Sequence, residues 1–288
     1  MRPYGPVDLH MHSTVSDGTD APAELLGRVK AAGIGLFSLT DHDAIRGSRE
    51  ILALLGPEDP RFLPGVEFGC RDELGKYHIL GYGYDPASPA IQAVVELGHG
   101  FRMKKLRARI DFLKSEFGFR FPEAAERELF ALPNPGKPHI GNLMVRLGFA
   151  ESKEAAIKNY LNRLHLREDY VRPEQAISGI LAAGGVPVLA HPCYGDGDQL
   201  ILGEELEQRV LRLMDFGLQG LEAWYSGFPD KLRAQVLELT ERHSLYATAG
   251  SDYHGKNKLV CLGDTGFPPE GPWPRGWERF RQEVLRDE

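Results

Sequence analysis

The chain has few cysteines and no long hydrophobic run, and both absences exclude classes of protein. Its 288 residues include three scattered cysteines, Cys70, Cys193 and Cys261, without Cys-x-x-Cys spacing, which argues against a disulfide framework. No apolar run approaches the roughly 20 residues of a membrane helix. Residues 1–6 show no apolar signal core, so we expect a cytoplasmic protein. The formal net charge of -7 disfavours broad binding to duplex nucleic acid, although a small phosphorylated substrate remains compatible with it.

Apolar segments alternate with helical patterns over most of the chain. Strands are predicted near residues 7–12, 35–40, 62–68, 76–82, 186–190, 220–225 and 245–249, mostly with helices between them. This order is typical of a parallel α/β fold, and polar residues at many strand ends favour a barrel of about seven strands.

A helical segment interrupts the α/β pattern. Residues 90–117 predict one long helix or two, and short helices are predicted at 122–130, 139–147 and 153–164. We therefore expect a barrel formed by residues 1–100 and 173–288, with residues 101–172 inserted as a small helical cap. Five basic residues between Arg102 and Arg109 form either a solvated helix face or a rim that steers a polyanionic substrate.

Histidines and carboxylates are concentrated at the predicted strand ends. His10 and His12 alternate by two, so both imidazoles project from one side of an extended strand, and Asp17 follows on a loop. Later strands carry similar residues: His42, Glu67, His78, His191, Asp252 and His254. A surface strand with incidental histidines is the alternative for the first pair. The set contains nitrogen and oxygen donors without thiolate, which suits manganese, zinc or iron.

These residues lie in motifs that resemble the PHP (polymerase and histidinol phosphatase) family. The motifs are Asp-x-His-x-His at 8–12, Ser-Asp-Gly at 16–18, Thr-Asp-His-Asp at 40–43, Glu67, His-Ile-Leu-Gly-Tyr at 78–82, Ala-His-Pro at 190–192 and Gly-Ser-Asp-x-His at 250–254. The resemblance implies a distorted (β/α)7 barrel with two or three divalent metals, most readily manganese.

By the family pattern, His10, His12, Glu67 and Asp252 would bind one metal. Glu67 would be shared with a second metal bound by His78 and His191, and a third would take Asp17, His42 and His254. Asp8 and Asp43 would orient imidazoles, or else make ordinary hydrogen bonds at strand ends.

The resemblance extends to members that dephosphorylate nucleoside 3′,5′-bisphosphates and trim RNA from its 5′ end. Their Arg-Pro-His-Ile-Ala-Arg stretch corresponds here to Lys137-Pro138-His139-Ile140-Gly141-Asn142, so both arginines are replaced. Lys137 and His139 are candidate contacts to a second phosphate, with helix capping as the alternative. Ser13 either donates to a phosphate oxygen or caps its loop.

The leading prediction is a metal-dependent phosphoesterase that converts a nucleoside 3′,5′-bisphosphate to a nucleoside 5′-phosphate by attack of a metal-bound hydroxide. No general acid is identified. The alternatives are a 5′–3′ exoribonuclease acting on short RNA ends, a histidinol-phosphate phosphatase, a C–N amidohydrolase and a non-catalytic PHP module. We expect a small phosphorylated nucleotide as the partner, with no membrane and no obligate protein partner.

Overall fold

The computed structural model describes residues 5–166, 169–196 and 199–287. Most of residues 1–6, where the sequence shows no apolar signal core, therefore lies outside the described residues. The eight strands of the described part are β1 Val7–Asp8, β2 Leu36–Phe37, β3 Arg61–Phe62, β4 Gly65–Asp72, β5 Gly75–Tyr82, β6 Val186–Leu189, β7 Gly220–Tyr225 and β8 Tyr246–Gly250.

The described α-helices lie between and after these strands. They are α1 Pro22–Ala31, α2 Arg46–Leu54, α3 Pro89–Phe117, α4 Glu123–Phe130, α5 Lys137–Arg146, α6 Lys153–Asn159, α7 Pro173–Ala182, α8 Gly203–Asp215, α9 Asp230–Arg242 and α10 Arg275–Arg279. The mixed α/β class is therefore confirmed. No helix in the described ranges combines the length and apolar character needed to span a membrane.

The strands form two sheets that are not wholly parallel. One sheet has the parallel order β1-β2-β3, and the other has the order β4-β5-β6-β7-β8. In the second sheet, β5 is antiparallel to both β4 and β6, whereas β6, β7 and β8 are parallel. The expectation of parallel strands was wrong at β5, because a turn of two residues between β4 and β5 can join only antiparallel neighbours.

The single strand predicted at residues 62–68 was also wrong. Arg61–Phe62 pairs with β2, and a new strand begins at Gly65 in the other sheet. Pro64 provides no backbone N–H at this junction. A Cβ at Gly65 would lie 2.1 Å from Ser38 Oγ and 3.0 Å from Leu39 O, so only glycine permits the close approach.

Hydrogen bonds join both edges of the five-stranded sheet to the three-stranded sheet. After β1, Leu9 N donates to Ala249 O at 2.8 Å. After β2, Asp43 N donates to Glu67 O at 2.8 Å, and His42 forms a parallel bridge with Glu67. The ends of β1, β2, β4 and β8 therefore meet in one region.

Helix α3 is one continuous helix of 29 residues. It begins where the Ser88 hydroxyl accepts from Ala90 N, and it ends at Gly118, which has a φ of 65°. Its first half packs on the main core through Ile91 and Val94, and its second half packs on a separate cluster formed by α4, α5 and α6. The expected boundary at residue 101 lies inside this helix.

Candidate metal centre

Glu67 lies at the middle of a cluster of histidines. The residue is 1% exposed in β4, and its two carboxylate oxygens face different imidazoles. Around Oε2 lie His42 Nδ1 at 2.9 Å, His12 Nε2 at 3.2 Å and His10 Nε2 at 3.4 Å. Around Oε1 lie His78 Nδ1 at 2.6 Å and His191 Nε2 at 3.4 Å. One carboxylate thus contacts five of the six strand-end histidines.

Two aspartates complete the cluster. Asp252 Oδ1 lies 3.4 Å from His12 Nε2 and 3.6 Å from His10 Nε2. Asp17 Oδ1 lies 3.3 Å from His254 Nε2 and 3.9 Å from His42 Nε2. The structure therefore brings all nine residues that we expected as metal ligands into one cluster.

Three subsets of this cluster have donor atoms close enough to share a cation. Within each subset the donor atoms lie within 4.8 Å of one another, and the subsets are His12-Asp17-His42-His254, His10-His12-Glu67 and His42-Glu67-His78. No cysteine occurs in them. The donor set is therefore that of hard to borderline divalent cations.

Seven buried donor atoms in the cluster have no hydrogen-bond partner within the described residues. They are His10 Nε2, His12 Nε2, Asp17 Oδ1, His42 Nδ1, both oxygens of Glu67 and His78 Nδ1. Burying a polar atom without a partner costs about 1–3 kcal/mol, so this many orphaned atoms converging on one space fit bound cations.

Carboxylates and imidazoles in the cluster shift one another's pKa values. Burial alone would raise the pKa of Glu67, but His42, His78 and His10 hold it well below its ordinary value. Burial alone would lower the pKa of His12, yet the nearby carboxylates of Asp252 and Glu67 raise it to about 9. The carboxylates thus favour positive charge on His10 and His12.

Local backbone geometry places the ligands. His10 and His12 flank Met11, which is buried and bridges to Tyr253, so the alternation predicted from the sequence directs both imidazoles to Glu67. Asp252 and His191 have φ values of 58° and 30°, a conformation that side-chain-bearing residues rarely adopt.

Two ligand positions differ from the expected strand ends. Glu67 is the third residue of β4 and His78 is the fourth residue of β5. Because β5 runs antiparallel to β4 and β6, its first half lies at the edge where the parallel strands end.

Glu222 is a buried carboxylate that the sequence analysis missed. Its Oε1 lies 2.9 Å from His10 Nδ1, and its Oε2 accepts a hydrogen bond from His191 N at 2.8 Å. One side chain thus orients two expected ligands. The available signal was a carboxylate inside the otherwise apolar strand β7, whose second and fourth residues are Leu221 and Ala223.

Asp41 was also missed, and it determines the position of Ser13. Asp41 accepts hydrogen bonds from Ser13 N at 2.8 Å, Ser13 Oγ at 2.7 Å and Ser16 Oγ at 2.7 Å. Ser13 is fully buried, and its oxygen also accepts from Val15 N at 3.1 Å. These contacts match the loop-capping interpretation of Ser13.

The hydrogen bonds of Asp8 and Asp43 resemble the second alternative given above, ordinary hydrogen bonding at strand ends. Asp8 accepts from Ser251 N at 2.9 Å, Ser251 Oγ at 2.6 Å and Gly263 N at 2.8 Å. Asp43 accepts from Arg102 Nε at 3.0 Å and Arg102 Nη2 at 2.7 Å. Their described partners are thus backbone, serine and arginine groups.

The start of α5 lies beside the cluster. His139 Nδ1 accepts from Gly136 N at 3.0 Å, which is the capping arrangement, and Lys137 Nζ donates to Asn162 Oδ1 at 2.6 Å. A Cβ at Gly136 would lie 3.1 Å from Arg102 Nη1 and 3.7 Å from Asp17 Oδ2. The N-terminus of α5 therefore faces the region between Arg102 and the metal ligands.

Two curated relatives share about 30% of the sequence over most of its length. The chain is 30% identical over 252 residues to a 3′,5′-nucleoside bisphosphate phosphatase of Chromobacterium violaceum, covering 86% of this chain and 87% of the relative. It is 32% identical over 286 residues to the 5′-3′ exoribonuclease Rnm of Salmonella typhimurium, covering 94% of each chain.

A third relative and two solved structures broaden the comparison. A phosphoribosyl 1,2-cyclic phosphate 1,2-diphosphodiesterase of Eggerthella lenta is 30% identical over 265 residues, covering 86% of this chain and 94% of the relative. An amidohydrolase from Chromobacterium violaceum, solved with bound sulfate and no metal, gives a TM-score of 0.80 at 28% identity over 98% of this chain and 96% of that chain. A candidate metal-dependent phosphoesterase from Bifidobacterium adolescentis gives a TM-score of 0.78 at 26% identity, over 91% of this chain and 92% of that chain. No protein-family model matches the sequence.

Proposed function

Since this chain belongs to the PHP family of metal-dependent phosphoesterases, we propose that it hydrolyses a phosphate monoester of a small nucleotide, converting a nucleoside 3′,5′-bisphosphate to a nucleoside 5′-phosphate. The observation that supports this most directly is the convergence of nine residues with nitrogen and oxygen donors, Glu67 at their middle, where seven buried donor atoms have no hydrogen-bond partner among the described residues. The full-length similarity to a bisphosphate phosphatase supports the substrate.

The nine residues would hold two or three divalent cations, with manganese as the first choice and zinc or iron as alternatives. In this proposal, His10, His12 and Asp252 lie on one side of Glu67, His78 and His191 on the other, and Asp17, His42 and His254 form the third position. Cations there would neutralise phosphoryl oxygens and make water nucleophilic near neutral pH.

The chain's own groups prepare the ligands for this task. Glu222 accepts from His10 Nδ1, which leaves His10 Nε2 free to bind a cation. Tyr225 OH donates to Asp252 Oδ2 at 3.1 Å, and Lys258 Nζ also contacts that oxygen. Asp252 therefore presents Oδ1 to the cluster while Oδ2 is held by other side chains.

The proposed position of the second phosphate is beside the start of α5. Helix N-termini attract anions through unpaired N–H groups and the helix dipole, and Lys137, His139 and Arg102 lie at this one. We therefore retain Lys137 and His139 as proposed contacts to the non-reacting phosphate. The buried hydroxyl of Ser13 is occupied by Asp41 and is the less favoured contact.

The architecture that we propose is a distorted (β/α)7 barrel under a small helical cap. Hydrogen bonds that join the two sheets at both edges support closure. The separate hydrophobic cluster that includes Leu106, Leu129, Ile140 and Ala156 supports a cap formed by residues 101–172. A cytoplasmic location stays a prediction from the sequence.

The second candidate function is 5′–3′ exonuclease activity on short RNA. It is favoured by similarity over 94% of the chain to an exoribonuclease and by the basic residues of α3. Histidinol phosphate is less favoured, because the helical segment with Lys137 and His139 supplies contacts for a larger anion.

Phosphate release by manganese-loaded protein tests the proposal. The substrates are adenosine 3′,5′-bisphosphate, AMP, histidinol phosphate and a short 5′-phosphorylated RNA. We expect the bisphosphate to be preferred and activity to be abolished in His12→Ala and Asp252→Ala, while His165→Ala, which alters an exposed histidine, retains it. Full activity in either of the first two variants would refute the proposed site.

A further inference from the structure

The three proposed cation positions differ in the part of the chain that holds their ligands. At the first position, Asp252 N donates a backbone hydrogen bond to His10 O at 2.8 Å. At the second position, Ala190 N donates to His78 O at 2.9 Å. All four residues lie in the strands of the proposed barrel or just after them. These backbone contacts are therefore made within the barrel itself.

The ligands of the third position are instead contacted by two asparagines. Asn257 Nδ2 donates to Asp17 O at 2.7 Å, and Asn257 N donates to His254 O at 3.3 Å. Asn134 Nδ2 donates to His42 O. Each of the three ligands at this position thus has its backbone carbonyl bound to one of the two asparagines.

Asn134 belongs to the proposed cap. It lies between α4 and α5, it is 2% exposed, and its Oδ1 lies 3.2 Å from His99 Nδ1 in α3. Because the ring nitrogen of His99 can donate to Oδ1, the NH2 end of the amide is directed towards His42 O. An asparagine of the cap therefore reaches the backbone of a proposed metal ligand.

Asn257 belongs to the proposed barrel, but residues of the cap contact it. It is the last residue of the short 3₁₀ helix Gly255–Asn257. Lys153 Nζ, at the start of α6, donates to Asn257 O, and Asn142 Nδ2 of α5 donates to Asn257 Oδ1 at 3.4 Å. The residue that holds two ligands of the third position is thus bound by two helices of the cap.

The sequence of α5 leaves room for the side chain of Lys153. A Cβ at Gly141 would lie 3.1 Å from Lys153 Cγ and 3.3 Å from Lys153 O, so glycine permits this close packing. The Lys153 side chain is 15% exposed, and its Nζ also pairs with Glu154 at 3.2 Å. Gly141 and Asn142 are positions at which this chain departs from the Ala-Arg of the related stretch.

Two of the ligands at the third position lie outside the helices and strands. Asp17 and His254 are on loops, and a loop loses conformational entropy when a cation fixes it. Contacts that fix the loop before the cation arrives reduce this cost and so strengthen binding. The hydrogen bonds that reach these loops from the cap therefore favour binding of a cation at this position.

We propose that docking of the cap onto the barrel, through Asn134 and Asn257, determines the affinity of the third cation position, whereas the first two positions bind cations independently of the cap. Asn134 and Asn257 are positioning residues, because they act through the ligands that they hold. The proposal rests on the proposed phosphoesterase function and deepens it, since it makes one cation position depend on the contact between cap and barrel.

Manganese binding to the full-length chain separates the positions. Titration against a fluorescent chelator gives the number and the affinity of each class of site, and Asp17→Asn identifies the class that belongs to the third position. Asn257→Ala retains the hydrogen bond from Lys256 N to Thr19 Oγ1 at 2.9 Å, which joins the same two loops. Asn159→Ala, which alters an exposed asparagine of α6, is the matched control.

We expect Asn257→Ala to weaken only the class that is lost in Asp17→Asn, by about tenfold or more, as for other residues that hold metal ligands. Asn134→Ala and Lys153→Met should weaken the same class, because each removes a contact between cap and barrel. Asn159→Ala should equal the wild type. Hydrolysis of p-nitrophenyl phosphate by Asn257→Ala should fall at low manganese and recover at saturating manganese, with an unchanged KM for the ester, which a misfolded variant would not show.

The outcomes separate the cap contact from the proposed function. If Asn134→Ala no longer unfolds cooperatively, Asn257→Ala and Lys153→Met decide instead. Wild-type manganese affinity in Lys153→Met would overturn the dependence on the cap, even if Asn257→Ala binds weakly, and so would the absence of any class lost in Asp17→Asn. In both cases hydrolysis by the manganese-loaded wild type leaves the phosphoesterase standing. Failure of the wild type to hydrolyse any ester would instead refute the proposed function, whatever its manganese binding.

Discussion

The substitution Glu222→Gln tests whether one buried carboxylate positions two metal ligands. In the wild type, one oxygen of Glu222 faces the Nδ1 of His10 and the other accepts from the backbone N–H of His191. Glutamine has nearly the same shape but only one acceptor. If the amide oxygen accepts from His191 N, the NH2 group faces Nδ1 of His10. That nitrogen must then oppose it as a second donor, or accept from it and leave the proton on Nε2, the atom that the cation needs.

The expected cost follows from this geometry. Glu222 and His10 are both fully buried, so water cannot relieve the missing hydrogen bond or the opposed donors. Such a change costs about 1–3 kcal/mol. The charge of Glu222 also raises the pKa of His10 against the effect of burial, and its removal makes the imidazole a poorer ligand. Loss of this kind of support typically weakens metal affinity about 10–100-fold.

Competition between the protein and a fluorescent chelator for manganese measures the effect directly. Glu238→Gln is the control, because Glu238 is 67% exposed and pairs with Arg242 on the surface of α9. We expect weaker manganese binding in Glu222→Gln alone, with cooperative unfolding retained. A Glu222→Gln protein with wild-type manganese affinity would show that neither histidine depends on this carboxylate for its orientation.

Three further predictions concern the metal, the backbone and the link to the cap. Chelation of divalent cations should lower the melting temperature, because it leaves the buried donor atoms without partners, and readdition of manganese should restore it. The absence of a shift in differential scanning fluorimetry would contradict this. Gly65→Ala should lower the free energy of unfolding by about 1–3 kcal/mol in urea titrations. The control Gly27→Ala, whose Cβ meets nothing within 4 Å, should not destabilise the protein. Equal urea midpoints for the two variants would refute the steric argument. Asp43→Asn should destabilise by about 3 kcal/mol by leaving Arg102 buried without its counter-charge, and the exposed Asp230→Asn should have little effect; similar destabilisation in both would count against a buried pair.

The clustering of the proposed ligands was predictable because their sequence signal is local. Alternation in the first strand placed His10 and His12 on one side, and the polar residues after β2 and β8 lie where the two sheets meet. The PHP family was confirmed by the comparisons. Strand direction was not predictable in this way, because a period of two is the same in parallel and antiparallel strands; only the short turn before Gly75 carried that information.

The residues that support the ligands were harder to predict. Glu222 was missed because a lone carboxylate in an apolar strand has no motif, and its partners are 31 and 212 residues away. Asp41 was missed because, in the motif at residues 40–43, the neighbouring His42 was interpreted as the functional residue. The basic run of α3 could be resolved only in three dimensions, where Arg109 is buried and Arg102 is partly buried while Arg107 is exposed.

The order in which the metal centre can assemble follows from where its ligands lie in the chain. His10 and His12 are near the beginning and Asp252 and His254 near the end, and the hydrogen bond from Ser251 N to Asp8 closes a separation of 243 residues. Contacts of such long range form late in folding, because the entropy of closing a long loop must first be overcome. During synthesis, a chain that lacks its final strand and the loop after it has only a partial ligand set. The complete set of proposed ligands is therefore available to cations only after the last strand and its loop have been made.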